Sequence, residues 1–138
     1  MLLGTILLWA LNLTVTRYIL MHGFRPLVNS REHFAWFTAH GGRAYPATAA
    51  VVLPAARNLF VSFDLDVLDA AHAPGVSAPN PAGWTVRRAE AWVRAGGADR
   101  RVRCFDLMEL NPAHDSEGRT ARVAAHLFLT FLAGFADR

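Results

Sequence analysis

The sequence predicts an α/β fold: a partial doubly wound parallel sheet preceded by one hydrophobic helix. Two β-rich apolar runs, NLFVSFDLD (Asn58 to Asp66) and RVRCFDLMEL (Arg101 to Leu110), read as strands covered on both faces. A helix-length segment, TVRRAEAWVRA, lies between them, and a strongly apolar one from Thr120 to Phe135 follows. Strand, loop, helix, strand, helix is the order of parallel strands joined by right-handed crossovers.

Leu2 to Met21, LLGTILLWALNLTVTRYILM, carries one charge, Arg17. As a helix rising about 1.5 Å per residue it would cross the roughly 30 Å apolar core of a bilayer. Thr5, Asn12, Thr14 and Thr16 suit partner helices better than lipid, so a membrane-spanning helix and a buried amphipathic helix both stay open. A cleaved signal peptide fits badly, because no basic start precedes the run and no small-x-small site closes it; Met21 offers an alternative start. Residues 1–28 are thus expected to form a separate hydrophobic segment, touching a membrane through residues 2–21, and residues 29–138 the α/β part.

Ser30 can cap a short helix, SREHFAWFTAH, that Gly41 and Gly42 stop. Ala47 to Arg57 can begin as a helix, but Pro54 argues against a regular one throughout. Ala70 to Gly83, punctuated by Pro74, Gly75, Pro79 and Pro81, is a long loop. Thr85 caps the next helix, which Gly96 and Gly97 are expected to end. Asn111 to Gly118 is loop.

Composition narrows the function classes. At 138 residues the chain is one ordinary domain at most, and 53% apolar with 18% charged residues excludes disorder. Fourteen basic against eleven acidic residues give +3, but every basic residue is Arg and they are scattered, so no nucleic-acid partner is expected. The lone Cys104 excludes an internal disulfide framework and a Cys-based zinc site, in keeping with a reducing, cytoplasmic location. Mid-strand among apolar neighbours, it reads as an inert core thiol. Trp36, Trp84 and Trp92 fit core or helix-face positions, and Asp106 reads as a buried strand residue that needs a partner. Strands left with apolar edges invite homo-oligomers.

The chemistry gathers in SFDLDVLD, Ser62 to Asp69. Strand side chains alternate faces, so Asp64 and Asp66 share one, about 6.6 Å apart along the chain. Carboxylates converging from that spacing can hold two metals roughly 3.5–4 Å apart, at the carboxyl end of a parallel strand. Two solvated acids opening a loop is the bland alternative. His72 and His114 read as ordinary loop histidines flanking these acids.

SFDLDVLDAAHAPGVSAPNP, followed by FDLMELNPAHDSEGRTARVAAHLF, resembles the carboxyl-terminal part of the arginase/agmatinase/formimidoylglutamase family, the ureohydrolases. APGVSAPNP and GRTARVAAHLF look most like the formimidoylglutamase branch. Residues 4 to 27, GTILLWALNLTVTRYILMHGFRPL, are similar instead to the first helix of drug/metabolite-type transporters, although no second span follows to build a pore.

The ureohydrolase resemblance implies a binuclear manganese site that hydrolyses C–N bonds of linear amidines or guanidines. In the formimidoylglutamase branch the reaction is N-formimidoylglutamate to glutamate and formamide. Asp64 and Asp66 match metal ligands, and Glu109 matches the glutamate that pairs with the substrate's cationic amidine. Asp69 matches a motif aspartate that binds no metal, and Ala70 stands where the family usually has Pro. None of the six histidines lies in the family's D-x-H-x-D block. A truncated, inactive hydrolase is therefore expected, with manganese held weakly at most. The alternative is a non-catalytic, membrane-anchored remnant or interaction module from a gene fusion.

Overall fold

The computed structural model describes residues 20–24, 30–50 and 52–138. The chain divides after Pro54 into two compact units, Met1–Pro54 and Ala55–Arg138.

In the first unit, β1 (Leu20–Phe24) and β2 (Arg43–Pro46) pair in parallel, with α1 (Arg31–Ala39) between them in sequence. Ser30 caps α1 as its residue type demands: its hydroxyl accepts the His33 N–H at 3.2 Å. Residues 2–19 of the expected hydrophobic helix lie outside the described residues. Its last two residues, Leu20 and Met21, belong to β1 and not to a helix. A short apolar run looks the same in a strand and a buried helix, and here β2 supplies the ladder. Among the described residues no helix is long and apolar enough to cross a membrane. The helix expected from Ala47 is also replaced: the Ala49 N–H donates to the Pro46 carbonyl at 2.9 Å, closing a turn directly after β2.

In the second unit, β3 (Leu59–Asp64) and β4 (Val102–Met108) are adjacent parallel strands, joined through α2 (Val86–Ala98) as the sequence predicts. The expected strand to Asp66 is cut short at Asp64. The Asp64 carboxylate accepts the Asp66 N–H at 2.8 Å and starts a 3-10 turn over Leu65–Val67. Leu65 and Leu68 are fully buried, so the turn is drawn into the core with Phe63, Val76, Trp84, Val93 and Leu127. The long loop that follows is fastened by isolated bridges, Leu68 to Trp84, Asp69 to Asn80 and Val76 to Leu110.

The final helix, α3 (Arg119–Ala136), packs along α2, and their contact corrects the expected end of α2. Gly96 and Gly97 do not stop the helix, which runs on to Ala98. Gly97 and Gly134 instead let two backbones meet: a Cβ on Gly97 would lie 2.2 Å from the Phe131 carbonyl oxygen, and one on Gly134 would lie 2.3 Å from that of Arg94. Cys104 is exposed on β4 rather than buried in the core, because among the described residues β4 pairs with β3 alone and its outer edge is uncovered. Asp106 is half-buried and its Oδ1 has no partner among the described residues.

The two neighbouring glycines should respond in opposite directions to the same substitution. A Cβ on Gly96 meets nothing within 4 Å, so Gly96→Ala should stabilise the chain by about 0.5–1 kcal/mol through lost unfolded-state entropy. Gly97→Ala should cost roughly 1–3 kcal/mol, because the backbone of α3 must retreat. Urea unfolding of the two variants checks this; equal shifts would mean that the helices do not touch at Gly97.

Candidate functional site

The parallel register brings the acidic residues to one end of β3 and β4. Asp64 is the last residue of β3 and lies opposite Met108, the last of β4, so Glu109 emerges beside it. Asp66 follows in the 3-10 turn, its position fixed by the bond from its own N–H to Asp64. Glu109 is the one described non-glycine residue with positive φ, 71°. That left-handed backbone turns the chain out of β4 and into the bridge between Leu110 and Val76.

The bridge is antiparallel, so it sets Ser77 beside Glu109. The Ser77 hydroxyl lies 2.6 Å from Oε2 of Glu109 and 3.2 Å from Oδ2 of Asp66. The Ala78 N–H donates to Asp66 Oδ1 at 3.4 Å. Asp64, Asp66 and Glu109 thus share one acidic cluster, in which Ser77 links Asp66 to Glu109. Sequence reasoning passed over Ser77: it stands in APGVSAPNP, the loop used above to judge the branch, but a single hydroxyl in a Pro-rich loop carries no spacing signal.

Desolvation, with crowded negative charge second to it, shows in the acid strengths. Desolvation among protein atoms pushes the Asp64 carboxyl up from 3.8 to about 6, and the charges of Asp66 and Glu109 add to it. The Asp66 N–H opposes this, and part of the side chain still reaches solvent, where water screens the effect. Asp66 is raised in the same way, by burial first and by Glu109 in addition, against the hydrogen bonds from Ala78 and Ser77. Oxygen donors under mutual repulsion suit a hard divalent cation, whose charge would relieve both shifts. They are nonetheless a partial donor set. Among the described residues no group of three His, Cys, Asp or Glu side chains could hold a metal ion. His114 sits beyond β4, its Nδ1 3.4 Å from Nδ2 of Asn111. Asp69 works within its loop, accepting the Ala71 N–H at 2.8 Å.

The raised Asp64 pKa has a definite sign for stability. Its ionised form is disfavoured in the folded chain, so the cost is absent below about 3.8, grows as pH rises, and is complete above about 6. Asp64→Asn removes that charge and keeps an oxygen to cap the turn. In metal-free buffer it should be more stable than the wild type at pH 7.5 by about 1 kcal/mol, after allowance for screening. The gap should close near pH 4, which thermal unfolding across the pH range would measure.

Comparison with known proteins places this geometry in a family. The arginase family matches residues 4–134. Formimidoylglutamase from Halobacterium salinarum is 38% identical over 125 residues, covering 81% of this chain and 40% of that protein. Formimidoylglutamase from Paraburkholderia xenovorans is 47% identical over 76 residues, covering 55% of this chain and 24% of that protein. Among solved structures, Trypanosoma cruzi formiminoglutamase with Mn2+ superposes with a TM-score of 0.80 at 28% identity, over 86% of this chain and 45% of that one. The chain therefore spans less than half the length of these relatives. The match from residue 4 also runs through the segment that resembled a transporter's first helix, and overturns that resemblance. The 138 residues, with their parallel strands and converging acids, belong to the arginase family.

Proposed function

We propose that this chain supplies the carboxylate part of a site that hydrolyses N-formimidoylglutamate to glutamate and formamide. Asp64 and Asp66 are its manganese ligands, and Glu109 is its partner for the cationic amidine. The observation that carries this is the convergence of the three acids at the carboxyl ends of two parallel strands, where open α/β sheets take their ligands. Its formimidoylglutamase relatives point to the substrate.

Manganese, when held, supplies the Lewis acidity that makes water nucleophilic near neutral pH. The residues of this chain do the holding and orienting. Asp64 and Asp66 offer anionic oxygens, and Glu109 offers an amidinium a charge-assisted hydrogen bond that fixes the direction of its carbon. Two carboxylates do not hold a pair of metals by themselves, so these 138 residues alone bind manganese weakly and do not turn over substrate. A second reading, a non-catalytic association module, is favoured by the exposed Phe128, Leu129, Leu132 and Phe135 of α3.

A formamide-release assay with N-formimidoylglutamate and excess Mn2+ tests the proposal, with urea release from agmatine and arginine measured alongside. No turnover is expected, with a single weak Mn2+ site that Asp64→Ala abolishes. Manganese-dependent formamide release lost in Asp64→Ala would show that the chain, alone or as an oligomer, completes its own site. A chain that binds no Mn2+ yet self-associates would favour the association module.

A further inference from the structure

We infer that the outer edge of β4, with the apolar stripe of α3 beside it, is a docking surface for a separate polypeptide. That partner carries the part of an arginase-family domain that this chain does not span. It adds a strand parallel to β4 and covers the stripe on α3.

Among the described residues β4 pairs with β3 alone, so alternate backbone N–H and C=O groups of β4 face outward with no strand beyond them. The Leu59 N–H donates to the Arg101 carbonyl, which turns the next carbonyl, that of Val102, to the outer side. The Arg138 guanidinium meets it there at 3.4 Å and closes only the start of the edge. Next to this edge, Phe128, Phe131 and Phe135 of α3 line a groove with Cys104 of β4. Both charged residues in the groove, Arg103 and Arg138, are cationic. Phe128, Leu132 and Phe135 follow one another at helical spacing on one face, and they are 46%, 41% and 53% exposed. Edge and stripe form one apolar surface of the kind that receives a partner. Asp106, midway along β4, adds a second sign: its Oδ1 is buried without a hydrogen-bond partner among the described residues, a cost that an arriving donor removes.

Two observations choose the occupant. The chain superposes on Trypanosoma cruzi formiminoglutamase with a TM-score of 0.80 yet covers 45% of it, so that fold continues well beyond what these 138 residues build. A second copy of this chain fits less well, because a two-fold contact through this surface would bring the arginines of one groove onto those of the other. A partner strand running parallel to β4 ends beside Met108 and Glu109. Residues that follow that strand therefore reach the acidic cluster and complete its partial donor set. This last consequence rests on the assignment of Asp64 and Asp66 to manganese, and the surface itself does not.

Co-expression tests the surface: the 138-residue chain is produced with the part of Trypanosoma cruzi formiminoglutamase outside the superposition, and separately with the corresponding part of the Halobacterium salinarum protein. The expected result is a one-to-one complex by light scattering, with a Kd of about 1 μM or tighter and slowed hydrogen exchange at the β4 amides. Phe128→Glu should weaken it about tenfold or more, whereas Phe128→Leu should stay within about threefold. Phe128 is half-exposed, so an unchanged far-UV spectrum will show that both variants fold. Mn2+ should bind the complex about a hundredfold more tightly than the chain alone. No complex with either partner, a complex indifferent to Phe128→Glu, or β4 amides that exchange as fast as in the free chain overturns the inference. A homodimer that neither partner dissociates assigns the surface to a second copy and overturns it too. A complex that forms but binds Mn2+ no better leaves the surface in place and overturns the assignment of Asp64 and Asp66 instead.

Discussion

The site depends on how Gly75 is fastened. Its N–H donates to the Thr120 hydroxyl at 2.8 Å, its carbonyl accepts the Asn111 N–H, and a Cβ in its place would lie 2.3 Å from Cβ of Asp115. No other residue type allows that approach. Thr120 is fully buried, and Asp115 accepts the N–H groups of Thr120 and Ala121 at 2.9 and 2.8 Å, satisfying the start of α3 where Gly118 has no side chain to do so. Burial alone would push the Asp115 carboxyl up; the donors around it hold it below its ordinary value. One joint thus anchors a helix end and the loop that carries Ser77.

Packing behind the sheet fixes the other half of the site. Phe105 of β4 stacks on Phe131 of α3 with ring centroids 4.0 Å apart and planes 6° from parallel. The close approach at Gly97 and Gly134 ties α3 to α2, and Trp84, just before α2, stacks on Trp92 at 5.6 Å. The strand that delivers Glu109 is therefore braced by the same helix whose first turn holds Gly75. The acids are brought together by tertiary packing more than by their own contacts, which are repulsive.

The strand pair β3–β4 and its crossover were legible because two apolar, β-rich runs flank an amphipathic helix with a clear Thr cap. β1 was not, because its residues continue an apolar run and nothing local marks where it begins. Asp64 and Asp66 were found through strand alternation, yet a capped turn places Asp66 instead of an extended strand. Local glycine rules misjudged Gly96 and Gly97, since a helix-stopping glycine and a helix-packing glycine look alike until the opposing backbone is known. Ser77 was invisible for the same reason: its partner lies thirty-two residues away across a single bridge.

Glu109 pays for its position in backbone strain, since φ of 71° disfavours any side chain with a Cβ by about 1–2 kcal/mol. Glycine or asparagine would relax it and discard the carboxylate. Folding and recognition therefore pull this position in opposite directions, and in a mutational scan the variants enriched for stability would be those depleted for binding. A lineage freed from the need to bind an amidine would gain by drifting to glycine there. The identity of residue 109 in neighbouring genomes thus becomes a gauge of whether the acidic cluster is still in use.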